Sequence, residues 1–159
     1  MKIRLRKGRI FDFSYLLSMK KGYFCDYYSN NSTMTTGNKP LILVVDDIST
    51  NNILIKAILR GSQYEVITAQ SGTEALGIAE EKHPDLILLD IMMPAMDGYE
   101  VLARLRAGEK TKDIKVVMLS ALADGEDIQN AMNLGADGYL TKPVVSASLY
   151  ETLDKFFKQ

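Results

Sequence analysis

From residue 40 onward the chain alternates between two hydrophobic rhythms. Short unbroken runs of branched apolar residues give way to stretches where apolar positions recur every three or four residues. Leu41-Ile42-Leu43-Val44-Val45 is the first run, and it ends abruptly in Asp46-Asp47. A run without alternation is the mark of a strand buried on both faces. Asn51 to Arg60 follows with Ile53, Leu54, Ala57 and Ile58 at helical spacing, and Gly61 stops it. Tyr64 to Ala69 reads as a second strand. Ser71 and Glu74 form a capping box for a helix to about Lys82, broken by His83-Pro84. Asp85 to Asp90 is a third strand, and Asp97 with Glu100 opens a helix through Arg106. Ile114 to Leu119, then Asp124 to Leu134, make a fourth strand and helix. Gly138 to Thr141 and Ser146 to Phe157 close the series, with Leu149, Leu153, Phe156 and Phe157 on one helical face.

Five strand–helix units in about 120 residues predict an α/β fold, a five-stranded parallel sheet with helices on both faces. Right-handed crossovers make it doubly wound. In such sheets, ligands sit outside the carboxyl ends of the strands. The residues at those ends are Asp46 and Asp47, Asp90, Ser120, and Lys142 before Pro143. Three carboxylates crowded on one rim repel one another unless a cation is present. Hard oxygen ligands without His or Cys favour magnesium over zinc. An ammonium and a hydroxyl beside them suit phosphoryl oxygens. Asp90, at the end of the central strand, is the natural nucleophile and would yield an acyl phosphate.

Composition adds one correction. The 159 residues carry 19 basic and 20 acidic side chains, a near balance that hides two unlike parts. Residues 1–39 hold eight basic against two acidic groups, net +6. Residues 40–159 hold 11 against 18, net −7. The polar stretch from Ser29 to Lys39 reads as a linker, giving a basic, aromatic-containing extension over 1–39 and a domain over 40–159. The extension is expected to be poorly ordered, or an artefact if translation starts at Met34. No apolar run approaches the roughly 18–20 residues of a membrane span, so a cytoplasmic protein is expected. Cys25 is the single cysteine, which excludes a disulfide scaffold.

Leu43-Val44-Val45-Asp46-Asp47, Leu88-Leu89-Asp90-Ile91-Met92-Met93-Pro94 with Met96-Asp97-Gly98, and Gly135-Ala136-Asp137-Gly138-Tyr139-Leu140-Thr141-Lys142-Pro143 closely resemble the receiver domain of two-component response regulators. The resemblance spans residues 40–159, with the motifs in order and at family spacing. It implies a flavodoxin-like, CheY-like fold with strand order 2-1-3-4-5 and a phosphoacceptor switch rather than an enzyme, expected to be a stand-alone receiver or one detached from a larger chain. Asp90 would take a phosphoryl group from a sensor histidine kinase or a histidine phosphotransfer protein. Asp47, Asp90 and the backbone carbonyl of Met92 would ligate Mg2+, with Asp46 acting through water. Ser120 and Lys142 would hold the phosphoryl oxygens, helped by backbone N–H groups of Met92 and Ala121. Tyr139 would turn inward as the Ser120 hydroxyl moves, and the bond before Pro143 would be cis. The helix 4–strand 5–helix 5 face would then signal to a downstream protein, or pair two phosphorylated copies.

Three positions depart from the common pattern. Ile48 stands where many relatives carry an acid, which implies weaker metal binding. Met92 and Leu122 place apolar side chains where the resemblance puts the path of the hydrolytic water. That predicts a comparatively long-lived phosphoryl state, read as its decay rate against polar replacements. Met92 also weighs against a haloacid-dehalogenase-type phosphatase, which needs an acid two residues after its nucleophile. A flavin carrier would want a glycine- and hydroxyl-rich phosphate loop where Asp46-Asp47-Ile48-Ser49 stands. His83 is a helix-terminal residue with no helical phosphotransfer context. The basic segment could bind nucleic acid or an anionic membrane, but it carries no motif for either, and neither partner is expected.

Overall fold

The computed structural model describes residues 2–4, 10–12, 39–121 and 125–158, and divides the chain into two units, Met1–Asn38 and Lys39–Gln159. In the first unit, β1 (Lys2–Arg4) pairs antiparallel with β2 (Ile10–Asp12), with Ile3 opposite Phe11. Cys25, Met34 and the linker from Ser29 to Asn38 lie outside the described residues.

The second unit alternates throughout. Its elements are β3 (Leu41–Val45), α1 (Ser49–Ile58), β4 (Glu65–Ala69), α2 (Gly72–Lys82), β5 (Leu86–Asp90), α3 (Gly98–Ala107), β6 (Lys115–Ser120), α4 (Gly125–Asn133), β7 (Gly138–Thr141) and α5 (Ser146–Phe157). The strands are all parallel and lie side by side as β4-β3-β5-β6-β7. Counted within this sheet, that is the expected order 2-1-3-4-5. The strand order reverses beside β3, so the mouth of the fold opens where β3 and β5 end.

Two cores hold the sheet. On one face Leu43, Val45, Ile87, Leu89, Val116 and Met118 pack against Ala75 and Ala79 of α2, Val101, Leu102 and Leu105 of α3, and Ala131 of α4. On the other face Ile42, Val44, Leu86, Leu88, Val117 and Leu119 meet Ile55 and Leu59, and Leu149 and Leu153 of α5. Every residue of β5 is buried, its terminal aspartate included. A fully buried leucine stabilises the fold by roughly 1.5–3 kcal/mol, which is why β5 can carry a charge at its end without fraying. The Tyr64 and Phe157 rings, 5.3 Å apart, close the second core, and the Tyr150 hydroxyl donates to the Ile58 carbonyl.

Local signals set the starts of α2 and α3 and the end of α2. Ser71 Oγ accepts the Glu74 N–H at 3.2 Å, while the Glu74 carboxylate accepts from Gln70 N–H, one residue earlier than a strict capping box. Asp97 accepts the Glu100 N–H at 2.8 Å. His83 ends α2 with φ +48°, in the left-handed region.

Helix α1 differs from its sequence expectation in both start and facing. It begins at Ser49, two residues early, and its N-cap Ile48 offers no side-chain cap. The Asp46 carboxylate substitutes by accepting the Ile48 N–H at 2.9 Å. Its buried stripe is Asn52, Ile55 and Leu59, whereas Ile53, Leu54 and Ala57 face outward and Ile58 is half-buried. Asn52 is the cause. Its Nδ2 donates to the carbonyls of Asp46 (2.8 Å) and Ala69 (3.1 Å), tying the ends of β3 and β4 together. Two hydrogen bonds to buried carbonyls contribute on the same order as turning Ile53 or Leu54 inward would, and they fix which face of α1 meets the sheet.

Candidate functional site

The carboxyl ends of β3 and β5 bring the three predicted acids together. Ligand atoms of Asp46, Asp47 and Asp90 lie within 4.8 Å of one another. Asp46 and Asp90 are buried, while Asp47 is half-exposed. Lys142, just past the end of β7, reaches across the mouth of the sheet. Its Nζ lies 2.6 Å from Asp46 Oδ2 and 2.9 Å from Asp90 Oδ1. The peptide bond from Lys142 to Pro143 is cis.

The three carboxylates are not equivalent. Asp46 receives donors on both oxygens: Ile48 N–H and Asn51 Nδ2 on Oδ1, Asn51 Nδ2 and Lys142 Nζ on Oδ2. Asp90 receives Lys142 and, at 3.3 Å, the Met92 N–H, both on Oδ1. None falls on its Oδ2 among the described residues. Asp47 makes no side-chain hydrogen bond or ion pair among those residues. One acid is therefore saturated, one is half open, and one is free.

Burial holds the Asp90 carboxyl above its ordinary 3.8, with the neighbouring Asp46 charge adding to the rise and the Lys142 bond and charge opposing it. For Lys142, burial works against the ammonium, but hydrogen bonds to Asp46 and Asp90 outweigh it and hold the group above its ordinary 10.5. A raised carboxyl pKa means that the folded chain keeps its proton where the unfolded chain loses it. The ionisation of Asp90 therefore costs stability as pH rises above 3.8. The metal-free Asp90→Asn variant is expected to match the unsubstituted chain in acid, to gain on it as pH rises above 3.8, and to hold that advantage once the folded Asp90 has ionised. Thermal melts of both across that range check this; an advantage that shrinks with rising pH would contradict it.

The remaining predicted residues surround this cluster. Ser120 is buried at the end of β6, and Asp90 pairs with its neighbour Leu119. Tyr139 on β7 is half-buried and packs against the α2–α3–α4 core. The Met92 side chain is 74% exposed, and Ile48 is 55% exposed. Two exposed apolar groups thus flank the buried acids. Leu122 lies outside the described residues. Gly98 sets the floor of the site. Its N–H donates to the Ile91 carbonyl at 2.9 Å, and a Cβ there would stand 2.8 Å from Cα of Ile91 and press into the Asp90 carbonyl.

Sequence reasoning missed Asn51 and Asn52, both on the first turn of α1. The available signal was two amide side chains placed four to six residues after an acid pair, on a helix whose start carries no capping side chain.

The donor set suits a hard divalent cation. It comprises oxygen ligands only, a free acid beside a half-open one, and net negative charge that a single ammonium does not cancel. Within this set Asp47 and Asp90 offer open oxygens, and Asp46 does not.

Comparison with known proteins bears on the same residues. The sequence model of the family described as "Response regulator receiver domain" matches residues 42–154. A probable transcriptional regulator, ycf27, of Cyanophora paradoxa is 46% identical over 106 residues, covering 67% of this chain and 43% of that protein. The response regulator PleD of Caulobacter vibrioides is 44% identical over 109 residues, covering 69% of this chain and 24% of that protein. The chain thus spans less than half the length of these curated relatives. Among solved structures, the chemotaxis protein CheY4 of Vibrio cholerae superposes with a TM-score of 0.70 at 32% identity, covering 74% of this chain and 98% of that one. The receiver domain of the sensor histidine kinase PA1611 of Pseudomonas aeruginosa, described with a magnesium ion coordinated in its active-site cleft, gives 0.69 at 32% identity over 76% of this chain and 98% of that one.

Proposed function

The chain belongs to the response regulator receiver domain family, and from that premise we propose that Asp90 is its phosphoacceptor in a magnesium-dependent transfer from a phosphohistidine. One observation carries the reading most directly. Asp90 is a buried carboxylate whose Oδ2 has no hydrogen-bond donor among the described residues, while Lys142 and the Met92 N–H hold Oδ1. An oxygen fixed by its neighbour yet free of donors is what an in-line displacement requires.

Asp90 Oδ2 attacks phosphorus, the P–N bond to the donor imidazole breaks, and the nitrogen keeps its electron pair and takes up a proton. Lys142 already stands against Asp90 and meets the incoming phosphoryl oxygens as a point charge. Ser120 offers a hydroxyl from the adjacent strand end. Mg2+ would be held by Asp47, Asp90 and the Met92 carbonyl, with Asp46 at one water's remove, and would supply neutralisation of phosphoryl charge. The chain is a phosphoacceptor switch, and its turnover is limited to its own dephosphorylation. Exposed Met92 at the mouth supports a slow loss of the group, since it offers no polar atom to orient water.

The phosphoryl group adds roughly −1.5 to −2 charges beside Lys142, which then divides its contacts between Asp46 and the new oxygens. Ser120 and Tyr139 couple that change to β7 and α4. Helix α4 supports this output role because it buries only Ala131 and leaves Ile128 and Met132, one turn apart, exposed to a partner. A sensor kinase or phosphotransfer protein is the upstream partner and a protein contacting the α4–β7–α5 face the downstream one.

Incubation with radiolabelled phosphodonors, a panel of sensor kinases among them, tests the reading. Stoichiometric label that requires magnesium and does not form when chelator is present from the start is expected. Continuous hydrolysis of phosphate monoesters would contradict it.

A further inference from the structure

Asp46 is held in a way that neither the family match nor the magnesium reading requires. Asn51 Nδ2 lies 3.1 Å from Oδ1 and 3.0 Å from Oδ2 of the Asp46 carboxylate, so one amide spans both oxygens. The Ile48 N–H and Lys142 Nζ occupy the remaining directions at 2.9 and 2.6 Å. A fully buried carboxylate with four donor contacts has no freedom to rotate, and it has no oxygen left for direct ligation. Asn51 sits one turn into α1, next to Asn52, whose amide binds the Asp46 carbonyl. Adjacent residues of one helix thus grip the same aspartate, one by its side chain and the other by its main chain.

We propose that Asn51 is a positioning residue for the acid cluster, fixing the Asp46 carboxylate as an outer, water-mediated partner of the bound cation and so setting divalent-cation affinity. Without the amide, Asp46 keeps Lys142 and the Ile48 N–H but can swing toward the cluster. Its negative charge is then no longer held at one place beside the cation, and it crowds Asp90. Outer-shell donors to carboxylate ligands act this way, through orientation rather than contact with the ion. The inference rests on the magnesium reading above and concerns only what this chain's own residue does toward that ion.

The test is calorimetric Mg2+ titration of the full chain, with Asn51→Ala and Asn51→Gln variants, at a temperature where circular dichroism shows each to be folded. Asn51→Ala is expected to bind Mg2+ about tenfold or more weakly, and Asn51→Gln, which keeps an amide donor, to recover most of that loss. A change of less than about threefold in Asn51→Ala would overturn the inference while leaving the receiver reading intact. So would a loss that Asn51→Gln does not recover, because a cavity rather than a missing donor would then be the cause. Absence of Mg2+ binding by the unsubstituted chain would contradict the proposed function itself, and this inference with it.

Discussion

Replacing Lys142 with methionine is expected to lower the unfolding free energy of the metal-free protein by about 3 kcal/mol. The substitution keeps an unbranched chain of similar length but leaves Asp46 and Asp90, both buried, facing each other without a cation. Removing one member of a buried ion pair typically costs about 3–5 kcal/mol, and the 21% exposure of the Lys142 side chain places the loss at the lower end. The same variant separates two roles of the lysine. Magnesium is expected to return much of the lost stability, because a divalent ion neutralises the same acids. Phosphoryl uptake is expected to stay depressed by about a hundredfold, because the point charge on the phosphoryl oxygens is gone. Urea unfolding with and without magnesium, beside labelled uptake, reads both. A variant as stable as the unsubstituted chain in chelator would contradict the account of Lys142 as the internal counter-ion.

Gly98→Ala is the second large effect. The added methyl would press against the Asp90 carbonyl and Cα of Ile91, which are backbone atoms in a fully buried strand and its first following residue. No side-chain rotation relieves that contact, so α3 or the end of β5 must shift. A loss of about 2–3 kcal/mol is expected, at the upper end for an overpacked site. Because the displaced backbone is that of Asp90, Mg2+ affinity and phosphoryl uptake should fall together with stability. A variant that melts normally and accepts phosphate normally would show that the close approach of α3 does not position Asp90.

The sequence made the sheet legible because its strands are buried on both faces and so read as unbroken apolar runs. Leu86 to Asp90 is the clearest case, with all five residues buried. The placement of the strand-end residues was equally readable: once the strands are parallel, the residues after them share one rim, and Asp46, Asp47, Asp90, Ser120 and Lys142 sit there. Helix α1 was harder to read. Hydrophobic periodicity pointed to Ile53, Leu54, Ala57 and Ile58, but Asn52 turns inward to bind two backbone carbonyls, and the helix rotates to let it. A buried amide is invisible to a hydrophobicity pattern because its stabilisation depends on partners 6 and 17 residues away. The inequality of the three acids was hidden for the same reason. Their saturation is set by Asn51 and Lys142, the latter 96 residues from Asp46.

The central claim is that Asp90 alone accepts the phosphoryl group. The most direct measurement is intact-mass spectrometry after incubation with a small-molecule phosphodonor and magnesium, followed by hydroxylamine and by peptide mapping. One added phosphoryl group is predicted, cleaved by hydroxylamine as an acyl phosphate, located within residues 86–98, and absent from Asp90→Asn. An adduct that persists in Asp90→Asn, or one that resists hydroxylamine as a Ser120 ester would, contradicts the account.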